Sequence, residues 1–343
     1  MAPPPPRLTR LLKVRDAAKV LHENFLIRGY RPLGIGYVDA MRSCTTWLSN
    51  ETVNVWTHLL PGLYFLHESW KLFNRAEGFG SANGAAHYLP LAMMLLGTGV
   101  VLVTSSLAHC FNCMSARARH TCFFCDYGAI GFYSLCSGLA HYYLCGIMPS
   151  DEPNATGEWL LDTGLFQPWV FVPLLVTNHF LIFIVMCLTR HHWQPMRYIV
   201  RTLGYVVAFT VNMFPFWARL FLSTSNVFST TSLTNHFWQY FWNLLAALSN
   251  MSKCPERFFP GYFDIVGHSH QWMHVFLTFS LLQEHKAIQI DIETRLSEFP
   301  LTPTVGAVVL VPLVFAAVSV FVIVRARRML QEDGSLRKAR KSS

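Results

Sequence analysis

AHYLPLAMMLLGTGVVLVTSSLAH, residues 86–109, is a run of 24 residues without a single Lys, Arg, Asp or Glu. As a helix it reaches about 36 Å, enough to cross the roughly 30 Å hydrocarbon core of a bilayer. Its last turn carries Ser105 and His109, four residues apart and therefore on one helical face. An ionisable side chain is expensive inside a membrane, so a histidine at the end of such a run points toward a polar interior and a site.

Seven further apolar stretches of comparable length lie near 52–73, 124–145, 167–188, 199–222, 234–250, 266–288 and 302–324. The chain is 343 residues long, 52% hydrophobic and only 13% charged. Lipid offers no water to satisfy open backbone groups, so these stretches predict an all-α polytopic transmembrane bundle of eight spans. Residues 1–50 then form a cytosolic leader, 51–324 the bundle and 325–343 a basic cytosolic tail. The basic stretch Arg7–Leu21 reads either as an amphipathic helix on the membrane surface or as a disordered polar leader. The opening residues, with four successive prolines from Pro3, lack the apolar core of a signal peptide, so the first span is expected to direct insertion.

Lys and Arg are retained on the cytoplasmic side of spans, which orients the molecule. With the amino terminus inside, 22 of the 27 Lys and Arg residues fall on cytosolic segments, leaving Lys71, Arg75, Arg219, Lys286 and Arg295 outside. Both termini are basic and cytosolic, which requires an even number of spans. The net charge of +8 answers anionic membrane lipids and argues against a nucleic-acid partner. Of three glycosylation sequons, at Asn50, Asn154 and Asn250, only Asn154 falls in a long outer loop and is the expected acceptor. No internal repeat or pair of broken helices suggests a transporter.

This topology brings four ionisable groups to one depth near the cytoplasmic face. Span two ends with His109, span three opens with Asp126, and span seven opens with His270 and His274 one turn apart on a common face. Imidazoles at i and i+4 with a third from a facing helix suit a tetrahedral zinc that keeps one position open to water. Asp126 is then a candidate proton shuttle beside that position. Ser105 is placed to orient an imidazole or the water, or to bond its own helix backbone. Glu51, Asn54 and His58 share one face of span one at the same depth, as residues supporting the ligands or as a polar packing seam.

A rival signal comes from Cys110, Cys113, Cys122 and Cys125, whose spacing suits a second zinc in a soluble protein. Here they lie at span edges around a short basic loop, and reduced thiols at a membrane edge are the plainer account. Cys44, Cys136, Cys145, Cys187 and Cys254 show no ligand spacing.

Several motifs extend over most of the chain: Gly29-Tyr30-Arg31, Asn50-Glu51-Thr52-Val53-Asn54-Val55-Trp56-Thr57-His58, Ser105-x-x-x-His109, Asp126-Tyr127-Gly128, Pro255-Glu256-Arg257 and Gly267-His268-Ser269-His270-Gln271-Trp272-Met273-His274. Together they resemble the progestin and adipoQ receptor family. The eighth span is similar to its membrane progestin receptor branch. The resemblance implies a seven-helix core containing zinc, held by His109, His270 and His274 with Asp126 at the metal water, and an added eighth helix. It also implies a receptor for progestins or related lipophilic ligands, signalling non-genomically through partners such as heterotrimeric G proteins. Trp272-Met273 stands where the family pattern has Leu-Phe, and the cysteine-rich loop also departs from it.

Three functions compete on these residues. The first is a plasma-membrane receptor whose ligand shifts a helical equilibrium. The second is a zinc-dependent hydrolase of ceramide-like lipids using Asp126, since relatives in the adiponectin branch are associated with that reaction. The third makes the zinc a structural clamp between spans two, three and seven.

Overall fold

The computed structural model describes residues 10–76, 85–147, 151–190, 196–224, 231–296 and 303–342. Their regular structure is helical, with two isolated β-bridges, Leu12 to Tyr30 and Pro153 to Ser223. The helices are α1 (Tyr37–Arg42), α2 (Thr52–Ala76), α3 (Ala85–Phe111), α4 (Ala116–Leu144), α5 (Ala155–Asp162), α6 (Pro168–Leu188), α7 (Arg197–Leu222), α8 (Thr231–Ser252), α9 (Ser269–Arg295) and α10 (Val311–Ser342). A π-helical turn, Gly306–Leu310, leads into α10.

Four helical stretches, Ala86–Phe111, Pro168–Leu188, Arg197–Leu222 and Gly306–Arg328, are long and apolar enough to cross a membrane by length and composition alone. The protein is therefore a helical membrane bundle. The long helices α2, α4, α8 and α9 are more polar, and much of that polarity points inward. Glu284 on α9, for example, accepts from Tyr133 (2.7 Å) and Ser137 (2.5 Å) on α4. Hydropathy undercounts such helices because their polar groups satisfy one another.

Helix α4 is the axle. From Tyr127 to Leu144 nearly every residue is buried, and α3, α6, α7, α9 and α10 pack around it. Small residues permit the close approach. A Cβ on Gly131 would stand 2.7 Å from the Phe315 ring of α10, and one on Gly138 only 2.5 Å from Asn212 of α7. The outer faces of α6, α7, α8 and α10 expose large apolar side chains, among them Leu181, Leu203, Phe237 and Phe321. So wide an apolar surface suits lipid rather than water.

Helices α2 and α3 cross at Gly62 and Gly99. A Cβ on Gly99 would meet Leu66 at 2.6 Å and the Leu66 backbone nitrogen at 3.0 Å. Backbone cannot yield as a side-chain tip does, so Gly99→Ala is expected to cost about 1–3 kcal/mol by overpacking. Thermal unfolding in detergent reads this, and an unchanged midpoint refutes the close crossing.

Neither of the two sequence expectations for the amino-terminal segment describes its residues 10–21. Among the described residues of 7–21 there is no amphipathic helix: Leu12 bridges to Tyr30 and a single 3-10 turn spans Lys19–Leu21. Ala17, Leu21, Leu26 and Tyr30 form a small core of their own. Gly29 turns the chain here with φ +86°, a conformation that side chains resist, and its carbonyl accepts from Asn50 N–H (3.0 Å). That reversal brings Arg31 beneath the end of α3.

Candidate metal centre

His109 leaves the last turns of α3, while His270 and His274 occupy the first turns of α9. The rings converge, with centroids 5.0 Å apart for His109 and His270, 5.1 Å for His109 and His274, and 4.6 Å for His270 and His274. One ligand nitrogen from each lies within 4.8 Å of the other two.

Hydrogen bonds behind two of the rings, those of His109 and His274, fix which of their nitrogens face inward. Glu51 Oε2 lies 2.7 Å from His109 Nδ1. An ionised carboxylate only accepts, so Nδ1 carries the proton and Nε2 turns its lone pair into the site. His274 Nδ1 lies 3.2 Å from the Asn54 carbonyl, likewise an acceptor, and 3.2 Å from Thr57 Oγ1. His270 Nε2 then faces His109 Nε2 at 3.2 Å. Zinc–nitrogen bonds of 2.0–2.1 Å at tetrahedral angles separate two ligand nitrogens by about 3.3 Å. Three neutral imidazoles aimed at one point therefore fit a small divalent cation of the zinc class.

Glu51 is the hub of the supporting network. Its Oε2 also accepts from Asn54 (2.8 Å), and its Oε1 accepts from Asn112 (2.7 Å). Removing such a partner of a metal-bound histidine typically weakens binding about 10- to 100-fold. We expect that loss for zinc in Glu51→Gln, read by competition with a fluorescent chelator; unaltered affinity refutes the role of Glu51.

His58 stacks on His274, centroids 3.5 Å apart and planes within 6°, and its Nδ1 meets Ser105 Oγ at 3.0 Å. Ser105 thus bonds neither His109 nor, by any hydrogen bond seen here, its own helix; it positions His58, which buttresses a ligand candidate. Asp126 does not join the three-histidine set. Its Oδ1 is buried without a hydrogen-bond partner, in the field of His109, Arg190 and Arg201. The four loop cysteines do not gather either. Cys110 meets Cys44, sulfur to sulfur 3.5 Å, Cys125 is exposed, and Cys122 lies on α4, whose first turn begins at Ala116. Asn154 caps α5, accepting from Gly157 N–H at 2.9 Å.

Two residues that position the site escaped sequence reasoning. Arg31 is 2% exposed and grips the end of α3: it donates to the carbonyls of His109 (2.6 Å) and Cys110 (2.8 Å), to Asn112 Oδ1 (2.8 Å) and to Ser43 Oγ (3.0 Å). A cation there answers the negative end of the helix dipole. Glu256 does the converse for α9, accepting from the Ser269 backbone N–H at 2.7 Å and from the Ser269 hydroxyl. Both lie in the quoted motifs, Gly29-Tyr30-Arg31 and Pro255-Glu256-Arg257, but charge counting treats Arg31 only as a marker of sidedness.

Fold and site together define a helical membrane protein with a buried three-histidine donor set near one end of its bundle. Residues 46–282 match the family described as haemolysin-III related. The mouse membrane progestin receptor delta is 32% identical over 295 residues, covering 84% of this chain and 81% of its own. Zebrafish membrane progestin receptor gamma-B is 32% identical over 303 residues, 85% of each chain, and human membrane progestin receptor gamma 31% over 288, covering 83% and 82%. The chain belongs to this family, that of the progestin and adipoQ receptors which its motifs resemble.

Proposed function

We propose that the chain is a membrane receptor for a progestin or a related lipophilic ligand, at the plasma membrane, with eight spans and both termini cytosolic. What carries this reading is the identity of about a third, sustained over more than four fifths of the chain, to relatives named membrane progestin receptors. In this reading His109, His270 and His274 hold a zinc ion at the cytosolic end. His109 on α3 and His270 and His274 on α9 would hold it between the two helices, where it would supply a Lewis acid for an oxygen ligand. Asn154 carries the glycan, and cytosolic partners, heterotrimeric G proteins among them, read the helical state.

A void between α4, α6 and α7, lined by Tyr127, Ser134, His179 and Met186, measures about 20 Å³. That is room for one water. A steroid entering there must part the helices, so binding and a helical shift become one event, which is what a receptor requires. Saturable binding of labelled progesterone to purified protein in lipid nanodiscs, abolished by heating, is the expected result. Binding that never saturates overturns the ligand assignment. The hydrolase reading carries less weight because Asp126 stands apart from the triad; fatty-acid release from ceramide that is lost in Asp126→Asn restores it.

A further inference from the structure

A second cluster lies at the opposite end of the bundle, about 25 Å along α9 from His274. Cys145 closes α4, His236 comes from the first turns of α8, and Asp291 from the last turns of α9. All three are buried, and one ligand atom of each lies within 4.8 Å of the other two. We propose that these residues form a second site for a zinc-class divalent cation, with a sulfur ligand that the histidine triad lacks.

The hydrogen bonds leave two acceptors facing each other. Gln239 Oε1 lies 3.2 Å from His236 Nδ1 and accepts its proton, so His236 Nε2 presents a lone pair. Asp291 Oδ1 accepts from Arg219 Nη1 at 3.1 Å, which leaves Oδ2. His236 Nε2 and Asp291 Oδ2 are both buried without a hydrogen-bond partner, 3.8 Å apart. That is too long for a hydrogen bond, and slightly beyond the roughly 3.3 Å between two ligands of a tetrahedral zinc. Cys145 supplies the soft donor beside them. His141, one turn earlier on α4, also has a bare buried Nε2, and its ring lies 5.8 Å from that of His236.

Charge points the same way. At this end of the bundle Arg219 and Arg295 face Asp151 and Asp291, with Arg295 to Asp151 at 2.7 Å and Arg219 to Asp151 at 3.6 Å. Glu284, held by Tyr133 and Ser137 and 3.8 Å from His141, adds a third buried carboxylate beside these two arginines. A dication that deprotonates Cys145, releasing one proton to solvent, suits surroundings so rich in buried acidic groups. A protonated His236 paired with Asp291 is the metal-free rival.

Zinc-edge X-ray absorption of the purified, zinc-loaded full chain decides between them, together with metal content. We expect two zinc per chain and a sulfur neighbour at about 2.3 Å in the wild type. Cys145→Ser should abolish the sulfur signal and one equivalent of metal, whereas His270→Ala should remove one equivalent and leave the sulfur. If the triad holds no metal, the wild type carries one zinc that still has sulfur. Should Cys145→Ser not fold, His236→Gln, which keeps the polar volume, must lower metal content by one. A first coordination sphere without sulfur in the wild type, sulfur that survives Cys145→Ser, or a metal count unchanged in His236→Gln overturns the proposal.

Discussion

Arg31→Met will destabilise the protein by about 3–5 kcal/mol, the usual scale for removing one partner from a buried charged network. The guanidinium lies under the end of α3 and satisfies two helix-terminal carbonyls, Asn112 and Ser43 at once. Methionine fills the volume but leaves each acceptor dry, at about 1–3 kcal/mol apiece where no water reaches. Arg31→Lys restores the charge without the planar fork and should recover only part of the loss. Thermal unfolding in detergent measures both variants. A midpoint for Arg31→Met equal to that of wild type means that solvent reaches the end of α3.

The same residue shows where sequence reading stops. Counting Arg31 among the cytosolic positive charges uses it only as a marker of orientation. Its burial arises from tertiary contact with residues 78 to 81 positions away, which no local pattern encodes. The apolar runs, by contrast, marked the long helices well. The run at 86–109 became Ala85–Phe111, and that at 167–188 became Pro168–Leu188. Errors fell where helices leave the apolar region. Helix α4 starts at Ala116 rather than 124, because Ser115 caps it, accepting from Ala118 N–H at 2.9 Å, and a polar first turn follows. Helix α9 runs past 288 to Arg295, since Asp291 and Arg295 find Arg219 and Asp151 as partners.

Legibility of the candidate sites divides along the same line. His270 and His274 are visible as an i, i+4 pair, and helix direction brings His109 to their level. Cys145 was set aside for want of ligand spacing, yet its neighbours arrive from 91 and 146 residues away. Ser105 was legible as a supporting residue but not its target, because only the packing of α2 on α3 presents His58 to it.

With zinc among the three rings, as proposed, His274→Ala should remove most of the stability that the ion would confer, and it should do so in a way that silences Glu51. A ligand that binds only the folded state adds about 4 kcal/mol when its free concentration is a thousand times its dissociation constant. Chelation of zinc from the wild type should therefore lower the melting midpoint sharply, while the His274→Ala midpoint starts low and falls further only by what a cation at Cys145, His236 and Asp291 contributes. In zinc-loaded wild type, Glu51→Gln weakens affinity about 10- to 100-fold, equivalent to roughly 1.4–2.7 kcal/mol. In the His274→Ala background that part of its cost vanishes, because the His109 lone pair that Glu51 aims no longer meets a cation held by three rings. The two substitutions must then fall short of additivity by a similar amount. Costs that simply add, together with a chelator shift no larger in the wild type than in His274→Ala, would make the triad a packing cluster; in that case Glu51 serves only to bind α2 to the end of α3.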